Sequence, residues 1–171
     1  MAENKKPAKS DGKSGLPGFR ERYKKLQEKY SLPAFDDMNR EFYIEKVAEI
    51  ETDIPTREIR RFVADKIYNY LRFLETILNP SNAPMFIFSV VKSMNEEDKR
   101  RLSDAYMKLA DINLELVRLD VESDEKKDAE FFKSVYSSWM EIKKDLSEIF
   151  GRFTAGNGMR KQESNGSRYF G

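Results

Sequence analysis

The stretch from Ile59 to Leu78 constrains the fold more than any other. Read at one hundred degrees per residue, it is a helix with an unusually wide apolar face. Ile59, Val63, Ile67, Tyr70, Leu74 and Ile77 form the centre of that face. Phe62 and Phe73 widen it on one side, and Ala64, Leu71 and Leu78 on the other. It spans roughly 200° of the circumference, about twice the stripe of an ordinary surface helix. Such a helix needs neighbours on more than one side, so it predicts the hub of an all-α domain.

The rest of the chain supplies those neighbours. Pro17 suits a first helical turn. Phe19, Tyr23, Leu26 and Tyr30 then recur at helical spacing, giving a helix over about 17–30 that Ser31-Leu32-Pro33 stops. A second helix is expected after Asp36, with Met38, Phe42, Val47 and Ile50 inward, although Phe42-Tyr43-Ile44 also fits a short extended piece. Pro55 opens the hub helix, and Asn79-Pro80-Ser81-Asn82 closes it with turn chemistry. The most apolar run, 83–91, is expected to be a short helix, because no partner strand exists elsewhere. Asn95 is placed to cap a helix reaching about Val121, with Leu102, Ala105, Leu109, Ile112, Leu116 and Leu119 at alternating three and four spacing. Ser123 is placed to cap the last helix, where Phe132, Val135, Trp139, Ile142, Leu146, Ile149 and Phe153 repeat the same spacing. Matched spacing across a turn of a few residues predicts an antiparallel αα-hairpin over 96–153. The expected domain is therefore a helical bundle of about five to six helices over 16–153. A disordered basic tail is expected at 1–15 and a disordered C-terminal tail at 154–171, since neither has an apolar period.

Composition narrows function mainly by exclusion. The chain has 171 residues, no Cys and no His. Thiolate and imidazole metal ligands are missing, and so is the commonest general base. All eight glycines lie at or outside Gly18 and Gly151. The body therefore lacks the glycines that a dinucleotide fingerprint or a phosphate-binding loop needs. No apolar run approaches the length of a membrane span, and no signal peptide opens the chain. A cytoplasmic protein with no cofactor and no small-molecule substrate is expected.

Charge is uneven. Residues 1–30 carry nine Lys/Arg against four Asp/Glu, and 151–171 carry four against one. Residues 31–150 carry eighteen against twenty-five. Lys5, Lys6, Arg20, Arg22, Lys24, Lys25 and Lys29 are candidates for nucleic-acid contact. Arg57, Arg60 and Arg61 cluster at the start of the hub helix, where the dipole disfavours cations. Arg60 shares its direction with Ala64, Ile67 and Leu71, so it predicts either an internal ion pair or an anion or partner-carboxylate site. Asn113 falls inward on its helix and reads as a register-setting core polar group or a partner contact. Glu41, Glu45 and Glu49 form an acidic row, read as a solvated face. Glu97 with Arg101, and Asp104 with Lys108, read as surface pairs four residues apart. The Trp139 patch with Phe131, Phe132 and Tyr136 reads as core, or as an interface anchor if exposed. Together these features predict a non-enzymatic interaction module that binds another macromolecule, expected to be a protein. An RNA- or ribosome-associated protein gripping phosphates with its basic ends is the alternative.

Overall fold

The structure, a computed structural model, describes residues 15–122 and 124–164; the side chains of Asn82 and of 154–164 are not described. Six α-helices and two short 3₁₀ turns make an all-α bundle with no strand among the described residues. The helices are α1 (Leu16–Tyr30), α2 (Phe35–Phe42), α3 (Pro55–Leu78), α4 (Met85–Ser93), α5 (Glu96–Val121) and α6 (Glu125–Ser164). The 3₁₀ turns cover Ile44–Glu49 and Pro80–Asn82.

The hub expectation is met. Ile59, Val63, Ile67, Leu74 and Ile77 of α3 are buried, and α3 touches α5, α6, α4, α2 and both 3₁₀ turns. The face narrows towards its end, where Phe73 and Leu78 are exposed and Tyr70 is half-buried. α5 and α6 form the antiparallel hairpin, and its stripes bury Leu102, Leu109, Leu116 and Leu119 with Phe132, Val135, Trp139 and Ile142. The Asn95 side chain accepts the Asp98 N–H at 2.7 Å and so caps α5. Asp124 is positioned to cap α6, its carboxylate accepting the Lys127 N–H at 2.9 Å; the expected cap Ser123 lies outside the described residues. Burying Phe19, Tyr23 and Leu26 makes α1 part of the same core. There Phe19 and Tyr23 meet Phe35 edge-on, at 5.8 and 5.4 Å between ring centres.

Three expectations need correction. The single helix expected from Asp36 to Ile50 breaks at Tyr43, which adopts left-handed φ of 55° and starts the first 3₁₀ turn. In an unbroken helix Val47 would lie about 180° from Met38, so no single face could bury both. The break turns Ile44 and Val47 inward, where both are fully buried. The α4 run forms the expected helix, yet Ile87 is its one buried residue. The backbone expected to be a tail from residue 154 is helical as far as Ser164. Helix propagation adds one hydrogen bond per residue and needs no apolar stripe. The other expected tail residues, 1–14 and 165–171, lie outside the described residues.

Candidate functional site

Four charged residues lie inside the bundle, and each has been given a partner. Arg60 is 2% exposed. One guanidinium nitrogen donates to Asp128 at 2.6 Å and another to Asp120 at 2.9 Å. The arginine therefore ties α3 to both hairpin helices, and the internal ion pair is the arrangement the structure contains. Burial pushes the Asp128 carboxyl up, and the adjacent Arg60 charge only partly opposes this. Asp128 Oδ2 and the Thr56 hydroxyl are buried without a partner of full hydrogen-bond geometry, yet Thr56 is close enough to favour the charged carboxylate. Arg57 and Arg61 are exposed, and Arg61 donates to Glu58 at 2.9 Å on its own helix. The three arginines therefore do not converge on one anion site.

Glu41 overturns the solvated-row reading. It is 4% exposed, while Glu45 and Glu49 face solvent. The break at Tyr43 separates them from Glu41. The Trp139 indole N–H donates to Glu41 at 2.8 Å and the Lys143 ammonium at 2.6 Å. Lys66 lies 3.7 Å from the carboxylate, donates to the Glu41 carbonyl, and sits 4.5 Å from the centre of the Trp139 ring. Burial alone would raise the Glu41 carboxyl; the Lys143 and Trp139 hydrogen bonds outweigh it and hold the group below its ordinary value. Burial lowers Lys66, against the pull of Glu41. Trp139 is 2% exposed and belongs to the core.

Asp98 is the fourth buried charge, and Arg152 donates to it across the hairpin. The surface pairs expected within α5 form between helices instead. Arg101 reaches Asp145 and Glu148, and Lys108 reaches Glu141 at 2.9 Å. α6 presents its acids opposite these cations, so cross-helix pairing competes successfully with the local partners.

The α1 cations are largely occupied. Arg20 donates to Asp36 at 2.9 Å and stacks 4.2 Å from the Phe35 ring centre. Arg22 donates to the Thr52 carbonyl at 3.1 Å, and Lys29 to Glu125 at 3.0 Å. Lys24 lies 4.0 Å from Glu28, Lys25 is exposed, and Lys5 and Lys6 fall outside the described residues. Asn113 is half-buried on the α3-facing flank of the outer α5 surface, and its side chain makes no hydrogen bond among the described residues. It is therefore no fully buried register-setting group. A phase of 3.6 residues per turn puts it at the margin of the inward stripe rather than within it.

The surface also carries exposed apolar side chains. Met85 and Phe86 of α4 are 81% and 64% exposed. On α5, Met107, Leu114, Val117 and Val121 point away from the core stripe and are exposed. Between α5 and α6 lies a shallow groove of about 280 Å³ with Asp111, Glu115, Ser134 and Ser138 on its walls. Lys108, also lining it, is paired with Glu141. Among the described residues no group of His, Cys, Asp and Glu could hold a metal ion, and no helix is long and apolar enough to cross a membrane. Comparison with protein-family models, with curated proteins and with solved structures finds no match for this chain.

Proposed function

We propose that the protein is a non-enzymatic helical-bundle module of the cytoplasm that acts by binding another protein through α4. The observation that carries this reading is the mismatch between the composition of α4 and its position. Six of its nine residues are Met, Phe, Ile or Val, and a helix apolar all round belongs in an interior. Here it lies at the surface, with Ile87 buried, Phe88, Val90 and Val91 half-buried, and Met85 and Phe86 exposed. Scattered exposed apolar residues are ordinary, but adjacent large ones such as Met85 and Phe86 mark a surface that a partner covers. The inward charges support the same reading: each is engaged by the fold, leaving none poised for proton transfer at an open cleft. The occupied cations of α1 weigh against a phosphate grip by the helical body, which itself is acidic.

A photo-crosslinking residue in place of Phe86, with Lys133 on exposed α6 as the control position, tests this in lysate of the native organism. A discrete protein adduct at 86 that survives nuclease treatment and disappears with Met85→Asp is the expected result. An adduct that needs RNA, or equal labelling at both positions, would overturn it. Unchanged thermal unfolding of Met85→Asp shows that the variant loses binding and not its fold.

A further inference from the structure

α5 carries two apolar stripes. The inward one runs through Leu102, Leu109 and Leu116. The other runs through Met107, Ala110, Leu114, Val117 and Val121, with spacings of three, four, three and four. At one hundred degrees per residue the centres of the two stripes lie about 120° apart around the helix. In the outer stripe Leu114 is 68% and Val121 84% exposed. An a/d repeat of this kind is the seam of a two-stranded coiled coil, and among the described residues nothing fills it.

We propose that this seam is closed by α5 of a second copy of the chain, running antiparallel. The packing and the charges both favour that occupant. Antiparallel pairing centred near Ile112 sets Met107 against Val117 and Ala110 against Leu114 of the other copy. Each layer then joins a larger side chain to a smaller one, which fills space evenly. Parallel pairing would stack Ala110 on its own counterpart and bring the two Arg100 side chains together at the seam. The flank nearest α6 carries Asp104, Asp111 and Arg118. Antiparallel pairing places Asp104 opposite Arg118 of the second copy, twice by symmetry. It also brings the two Asp111 carboxylates together near the axis, a repulsive contact that identifies this register. This surface is separate from the exposed α4 residues, so the inference goes beyond the binding role argued above.

Sedimentation equilibrium of the full chain over a wide concentration range provides the first test. A monomer–dimer equilibrium is expected, weakened at least tenfold by Leu114→Asp, a substitution at an exposed position. Asp104→Arg should weaken it too, and Asp104→Arg with Arg118→Asp should restore it. Asp111→Asn should tighten it. Orientation is read by cysteine, since the chain has none of its own. An equimolar oxidised mixture of Ala110→Cys and Leu114→Cys should yield mixed disulfide well above the half that random pairing gives. A monomer at every concentration, or a dimer indifferent to Leu114→Asp, overturns the proposal. A preference for homodisulfides overturns the antiparallel arrangement. Crosslinking at position 86 is independent of these outcomes, so the two readings can fail separately.

Discussion

Glu41 shows how a buried charge is kept at tolerable cost. The unfolded chain leaves it near the ordinary glutamate value of 4.5, and the fold lowers it. A depressed acid stabilises the native state above its unfolded value, and that contribution is lost as pH falls through the folded value. Glu41→Gln keeps an acceptor for Trp139 but removes the charge facing Lys143 and Lys66. We expect it to lose about 1–3 kcal/mol at pH 7, with a smaller deficit at an acid pH low enough to protonate the native carboxylate as well. Urea unfolding at the two pH values checks this, and a deficit equal at both would contradict the assignment. Asp128 has the opposite sign: its raised folded value means that the charged form costs stability, and acid relieves the cost. Arg60→Met should therefore lose about 3–5 kcal/mol, because it strands Asp128, while Arg60→Met with Asp128→Leu should recover most of the loss. A single variant within experimental error of the parent would show that the pair is dispensable. The inward position of Arg60 was legible in the sequence and that of Glu41 was misread as solvent-facing, while Asp128 and Asp98 carried a signal that went unused. Asp128, Phe132, Val135 and Trp139 share one spacing of four, three and four, and so do Asp98, Leu102, Ala105 and Leu109. A charged residue standing in register with an apolar stripe goes inside with it, whatever its hydropathy. The identities of the partners were not legible, since Arg60 meets acids 60 and 68 residues further along the chain.

At the scale of elements, α3, α5 and α6 follow directly from long periodic stripes, and both ends of α3 and the start of α5 fall where Pro55, Asn79 and Asn95 place them. The α2 segment does not, because eight residues give barely two turns from which to read a period. Its break depends on Tyr43 holding a left-handed backbone that costs an L-residue roughly 1–2 kcal/mol. The Tyr43 side chain is 58% exposed and contributes little burial in return. Tyr43→Gly is accordingly expected to be neutral or to stabilise by up to about 1 kcal/mol, and Tyr43→Val to destabilise by about that amount. Denaturation midpoints for the two variants give the comparison; a Gly variant less stable than the Val variant would contradict it. The outer stripe of α5 shares its spacing with the inner one. One helix can thus satisfy two periodic readings, and periodicity alone does not say which side faces the core.

For the whole molecule, the N-terminal helix is structural before it is anything else. Phe19 and Tyr23 are fully buried and Leu26 nearly so. A chain beginning at Ser31 forfeits all three and should be destabilised by at least about 5 kcal/mol. Calorimetry of the shortened chain checks this, and an unchanged melting temperature would show that α1 only rests on the surface. Any role of the basic residues in nucleic-acid binding is therefore better tested by Lys24→Glu with Lys25→Glu than by truncation. The concentration of positive charge in 1–30 was visible in the sequence; the engagement of Arg20 by Asp36, of Arg22 by the Thr52 carbonyl and of Lys29 by Glu125 arises only in three dimensions. The same convergence gives the protein an optical property. Trp139 is the chain's one indole, hydrogen-bonded to Glu41, 6.4 Å from the Phe42 ring and 4.9 Å from that of Tyr70. Its ultraviolet emission is thus an intrinsic gauge of whether the α2 region is seated on the hairpin, and comparing it with far-ultraviolet dichroism distinguishes detachment of that region from melting of the bundle.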